Sequence, residues 1–199
     1  MEVTQLHKPY DNKHVTITYV NGNKSDLEGI VNSSFTISKP GTLSKEGAIR
    51  KWVMDCRKGL SSTENLQSAA DWFVNILDTE NIDQIALKGY GAYFLAGAIL
   101  TTSYKPITAA IIREKGPKGY DLDKLIEGTL DPTKKVLVVD DIINSGTSTL
   151  SAINCIIEAG QDRSSISCAF LMNFMWGKGV LSLNKRGFKN IYHAMEVTE

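Results

Sequence analysis

From Ile82 onward, short aliphatic runs alternate with longer stretches in which apolar side chains recur every three or four positions. The short runs, Gln84–Leu87, Ile107–Ile112, Lys135–Val139 and Ser165–Leu171, predict strands buried on both faces. The longer ones predict helices over Tyr93–Thr102 and Ser148–Glu158, the second stopped by Gly160. Strand, helix, strand repeated in this order implies right-handed βαβ units. The expected fold is therefore α/β, a mostly parallel twisted sheet with helices on both faces, with residues 82–171 as its core. Just upstream, SSTENLQSAADWFVNIL sets Leu66, Ala69, Ala70, Phe73, Ile76 and Leu77 at helical spacing, with Ser61 and Glu64 as a capping box.

Nearer the N-terminus the period changes. Val15, Ile17 and Tyr19 alternate with Thr16 and Thr18, and Asn21-Gly22 follows, which predicts a β-hairpin. Residues 33–52, SSFTISKPGTLSKEGAIRKW, keep no period and read as irregular, part of a small β-rich hood or flap over a site. The expected division is a hairpin and hood over 1–54 and an α/β core over 55–199. MEVT occurs at 1–4 and again at 195–198, a match too short to count as a repeat.

Composition narrows the possibilities. Lys plus Arg and Asp plus Glu each number 22, so no global basic field points to nucleic acid. The odd set Cys56, Cys155 and Cys168 has no CxxC spacing and reads as reduced thiols, not as a disulfide frame or zinc site. No apolar run approaches the roughly 18 residues of a membrane span, and MEVTQLHKPYDNK lacks a signal-peptide core. A soluble, cytoplasmic protein with no membrane partner is expected. His7, His14 and His193 lie at the two ends, away from every motif below.

Candidate chemistry gathers in VLVVDDIINSGTSTLSAI, Val136 to Ile153. Four aliphatics lead to Asp140 and Asp141 at the C-terminal end of a strand, where ligands bind in open α/β sheets. Asn144, Ser145, Gly146, Thr147, Ser148 and Thr149 then run into a helix whose first N–H groups are free to meet an anion. Small residues let amides approach a phosphate, hydroxyls add donors, and the acids accept from sugar hydroxyls or assist a metal. A phosphorylated sugar fits both halves. The bland alternative is a solvated strand end followed by an ordinary helix cap. A receiver-type acidic pocket needs acids from separate strands, and no acid ends an N-terminal strand. Neither GxxxxGK[ST] nor GxGxxG after a strand is present.

VLVVDDIINSGTST resembles the signature with which type I phosphoribosyltransferases bind 5-phosphoribosyl 1-pyrophosphate, PRPP. The order and spacing of VMDCRKGLSSTENLQSAADWFVNIL, IDQIALKGYGAYFLAGAIL and IIREKGPKGYDLDKLIEGTL are similar to the orotate phosphoribosyltransferase branch over about residues 53–172. The resemblance implies that Asp140 and Asp141 hold the ribose hydroxyls and Asn144–Thr149 the 5-phosphate. Asp55-Cys56-Arg57 matches an Asp-x-Arg before the first long helix, and Lys88, Gly89, Tyr90 and Gly91 fall on the pyrophosphate loop. Arg113, Lys115 and Lys118 fall at the start of a mobile catalytic loop that reaches a neighbouring subunit, with Leu125-Ile126-Glu127-Gly128 after it. Arg113, Lys115, Lys118 and Asp141 are thus the candidate catalytic residues. Mg²⁺ would arrive on PRPP near Asp140 and Asp141, with no direct protein metal site, and a homodimer is implied.

Two departures bear on the base. Glu114 and Tyr120 stand near places where the family has Lys and His, and SKEGAIRKWVMD only loosely matches the orotate-contacting stretch. Asn144, Lys45 and Trp52 are the candidate base-binding residues, with Arg50 able to add charge; Trp52 equally suits a core. The reaction implied is transfer of ribose 5-phosphate from PRPP to a nucleobase with release of pyrophosphate, orotate being favoured. The alternatives are another purine or pyrimidine, or a PRPP sensor without turnover.

Overall fold

The computed structural model describes residues 1–7, 14–39, 41–42, 51–113 and 125–199. In chain order the elements are β1 (Glu2–His7), β2 (His14–Tyr19), α1 (Lys24–Ser34), β3 (Phe35–Ile37), β4 (Trp52–Met54), α2 (Cys56–Gly59) and α3 (Thr63–Thr79). There follow β5 (Gln84–Lys88), α4 (Tyr90–Thr102), β6 (Thr108–Ile112), β7 (Ile126–Gly128) and β8 (Val136–Ile143). The chain continues with α5 (Thr147–Glu158), β9 (Ile166–Phe174), α6 (Gly179–Lys185) and β10 (Ile191–Thr198).

Among the described residues, eight strands form one sheet in the order β1-β2-β10-β9-β8-β5-β6-β7. The pairs β10–β9, β9–β8, β8–β5 and β5–β6 are parallel, while β1, β2 and β7 complete the edges in antiparallel fashion. The α/β expectation holds, and the sheet is wider than 82–171. Leu137, Val139, Ala169 and Leu171 pack on one face with α1, α3 and α4, and Val136, Val138, Cys168 and Phe170 pack on the other with α5. Alternation of this kind along strands covered on both sides explains their unbroken apolar runs. The small second sheet is the antiparallel ribbon of β3 and β4, joining Phe35 to Met54 and Ile37 to Trp52.

Two local expectations are corrected. Asn21-Gly22 does not close a hairpin; β1 pairs with β2 on the other side, His7 against His14. Val20, Asn21 and Gly22 all donate their N–H groups to Ala194 O, and the Asn23 side chain accepts from Ser25 N to cap α1. Asn is as good a helix cap as a turn residue, and the helix has the stronger partner, since Leu27, Ile30 and Val31 bury fully. The capping box is shifted by one: Ser62, not Ser61, accepts from Asn65 N at the head of α3. Ser61 Oγ donates instead to Lys58 O, ending α2. The buried stripe of α3 runs through Ala69, Ala70, Phe73, Val74, Ile76 and Leu77.

The two MEVT segments both lie beside β2, where Tyr19 pairs with Glu2 on one side and with Met195 on the other. They are one residue out of register, and so not equivalent.

Candidate functional site

The site lies where the sheet reverses direction. From β5 the chain goes through α4 to β6 on one side, and from β8 through α5 to β9 on the other. Between β5 and β8 is a crevice at the carboxyl ends of both strands, the position at which doubly wound sheets bind ligands. The ladder between them stops at Leu87 and Val139, yet β8 continues beside β9 as far as Ile143. Asp140 and Asp141 therefore stand on a strand that has lost one neighbour. Their own carboxylates take over: Asp140 Oδ1 accepts from Asp141 N and Asp141 Oδ1 from Ile142 N, both at 2.9 Å. Val139 and Ile142 both pack on the first face, so the inward-outward alternation slips across the two acids.

Both side chains are partly buried, and burial disfavours their charged forms. Asp140 is pushed well above the usual aspartate range, first by desolvation and then by the charge of Asp141. Asp141 is also raised by desolvation, partly offset by its hydrogen bonds and by the nearby positive charge of Arg57. Arg57 is held by Asp55, Nε to Oδ1 at 2.8 Å and Nη2 to Oδ2 at 3.2 Å, and this pair keeps the Asp55 carboxyl below its ordinary value. Two crowded acids that resist ionisation suit a partner carrying hydroxyls or a positive charge. Among the described residues no three His, Cys, Asp or Glu side chains gather as a metal group. Two acid oxygen donors alone fit Mg²⁺ carried mainly by a ligand's phosphates and waters.

Beyond Ile143 comes the loop. Gly146 caps α5 at φ +77° without any side-chain cap bond, and Gly89 caps α4 in the same crevice at φ +94°. Glycine adopts these angles readily, and neither cap residue has a side chain to occupy the first N–H groups, as an anion requires. Ser145, Thr147 and Ser148 are exposed, with Ser145 Oγ 3.0 Å from Thr147 Oγ1. Thr149 is buried at the head of the α5 stripe that continues through Ala152, Ile153 and Ile156. Lys88 reaches across the crevice, donating Nζ to Ser151 Oγ at 2.7 Å. Tyr90 is exposed and meets Tyr93 edge-on, with ring centroids 5.9 Å apart. Arg113 pairs with Glu127 at 3.3 Å, and its N–H bonds Leu125 O, which ties together the two ends of segment 114–124. Lys115, Lys118, Lys45 and Arg50 lie outside the described residues.

Asn144 and Trp52, far apart in sequence, share the lining of one cavity of about 290 Å³ with Val53, Met54, Phe174, Trp176 and Glu199. Phe174, Trp176 and Glu199 escaped the sequence reading. For Phe174 and Trp176 the signal was positional: they stand at the carboxyl end of a buried strand, where Asp140 and Asp141 also stand on β8. A Cβ on Gly177 would lie 1.9 Å from Asn144 Oδ1 and 2.4 Å from Asn144 O. Only glycine lets this turn press against the phosphate-type loop.

No family model matches the chain. The chain is 34% identical over 109 residues to the orotate phosphoribosyltransferase of Methanosphaera stadtmanae, a match covering 55% of this chain and 60% of that one. The match thus spans less than two thirds of the relative. Among solved structures it resembles the orotate phosphoribosyltransferase of Mycobacterium tuberculosis H37Rv at TM-score 0.73 and 19% identity, over 86% of this chain and 94% of that one. It also resembles the adenine phosphoribosyltransferase of Leishmania tarentolae at TM-score 0.62 and 12% identity, over 87% and 89%. The chain has the type I phosphoribosyltransferase fold, and its resemblance to orotate phosphoribosyltransferases is borne out.

Proposed function

We propose that the protein transfers the ribose 5-phosphate group of PRPP to a nucleobase with release of pyrophosphate, orotate being the base that the named relatives favour. The carrying observation is the pairing, at one crevice, of partly buried Asp140 and Asp141 with the uncapped α5 N-terminus at Gly146. In this reading the acids accept from the ribose hydroxyls. The amides of Ser145–Ser148 and their hydroxyls hold the 5-phosphate, while Lys88, Gly89 and Tyr90 face the pyrophosphate. Arg113 and, from the adjoining segment, Lys115 and Lys118 neutralise charge as pyrophosphate departs. Mg²⁺ bound to PRPP would sit near Asp140 and Asp141 and supply Lewis-acid screening of the leaving group. No protein nucleophile is needed, because displacement at C1 passes through an oxocarbenium-like state.

A second reading, transfer to another base, is favoured by one observation. The cavity beside Asn144 carries the Glu199 carboxylate among aromatic rings, an arrangement that suits a base without a carboxylate of its own. We also propose a homodimer. α4 leaves Tyr93, Phe94 and Leu100 exposed in the helix that starts at the site, apolar surface that a second copy of the chain could cover.

The test is pyrophosphate release with PRPP, Mg²⁺ and a panel of bases. Release with orotate alone supports the first reading, and release with a different base supports the second. PRPP binding without turnover would make the chain a sensor. Replacing Asp140→Asn together with Asp141→Asn is expected to abolish PRPP binding while the protein stays folded; unchanged PRPP affinity would refute the site.

A further inference from the structure

We infer that Ser151 is a positioning residue: its hydroxyl holds the Lys88 ammonium in the crevice between β5 and β8, set to meet the pyrophosphate of PRPP. This deepens, and rests on, the phosphoribosyl-transfer reading. Lys88 ends β5 one residue beyond its last pair with β8, Leu87 with Val139. One further step of that ladder would set it opposite Asp140. The side chain goes instead to the α5 face of the sheet, the face of Ala86, since Leu87 packs on the other. There Nζ donates to Ser151 Oγ at 2.7 Å, across 63 residues of chain.

The chemistry of that partner matters. A carboxylate would cancel the charge of Lys88, whereas a hydroxyl orients the ammonium and leaves it positive. Lys88 leads directly into Gly89, the cap of α4, and Ser151 lies about one turn of α5 beyond Thr147 at the phosphate-type loop. A single bond therefore ties the two loops together and fixes a cation near two helix N-termini, each with partial positive charge. Positive ends gathered in this way repel one another in the free protein and suit a ligand with several negative groups, as a pyrophosphate has. A lysine held in advance also gives up less rotamer freedom when the ligand arrives. Ser151 acts through Lys88, and its own hydroxyl is taken up in doing so.

Calorimetric titration with PRPP, pyrophosphate and ribose 5-phosphate, each with Mg²⁺, tests this. Ser151→Ala is expected to weaken PRPP and pyrophosphate about tenfold, the scale of one hydrogen bond to a charged group. Ribose 5-phosphate, which lacks the pyrophosphate, should bind as before. Lys88→Met should show the same selective loss, and the double variant should lose no more than Lys88→Met alone. Ser151→Thr should bind like the parent. It keeps the hydroxyl, and its added methyl has room in a cavity of about 460 Å³ lined by Ser151 with Thr147, Leu150 and Asn154. An equal loss for ribose 5-phosphate would make Ser151 a structural contact of α5 and overturn the inference. Additive losses in the double variant would do the same, as would PRPP affinity unchanged or raised in Ser151→Ala. Thermal melts check that each variant is folded. If the parent binds PRPP and Ser151→Ala binds it equally well, this inference fails alone; if the parent does not bind PRPP, the transferase reading fails with it.

Discussion

Asp140 and Asp141 carry a cost in the free protein. Both have carboxyls raised by burial, so the folded state binds protons more tightly than the unfolded chain. Stability contributed by such groups is present below the ordinary aspartate value and lost as pH rises through the raised folded value. Neutral pH is thus where the pair destabilises most. Asp140→Asn is expected to raise the melting temperature at neutral pH and to flatten the decline from mildly acidic conditions, even as ligand binding is lost. Thermal melts across that window check it; a variant less stable than the parent at neutral pH would count against a charged, strained pair. The acids themselves were legible, because two carboxylates after four aliphatics have few bland explanations. Which neighbour they lose was not, since the end of the β5 ladder at Val139 is a property of pairing, not of the local residues.

Among elements, legibility followed periodicity. Helices α3, α4 and α5 and strands β5, β6, β8 and β9 fall within a few residues of the expected runs, because burial on a continuous stripe or on both faces leaves a repeat. Helix α1 was hidden behind Asn21-Gly22-Asn23, a string that serves a turn or a cap equally well and is decided by what Leu27 and Ile30 pack against. The β9–α6 turn was legible only by its position, because its glycines answer to a loop distant in sequence. Gly177→Ala would drive a methyl into the Asn144 backbone. Overpacking of this sort costs about 1–3 kcal/mol. Because Asn144 opens the phosphate-type loop, PRPP affinity should fall together with stability. Calorimetry of the folded variant checks it; unaltered affinity would mean that the loop does not lean on this turn.

At the scale of the molecule, the proposed dimer turns on α4. Phe94 is 48% exposed, and Phe94→Glu places a charge among the exposed apolar side chains of α4. Sedimentation is expected to show a dimer for the parent chain and a monomer for this variant, whereas a parent monomer that turns over would remove the dimer from the proposal. No described helix is long and apolar enough to cross a membrane. The sheet also joins the two ends of the described chain: β2 pairs with β1 early in the sequence and with β10 at its far end.

That late partner has a consequence for the order of events during synthesis. While the ribosome is still making residues 20–190, β2 has β1 on one side and an open edge on the other. Long-range pairings of this kind form slowly and leave edges exposed to other chains. Because β10 leads straight to Glu199, the strand that closes this edge also delivers the cavity's carboxylate. A nascent chain interrupted before residue 191 lacks both, so protection from misassembly and the last charged wall of the cavity arrive together.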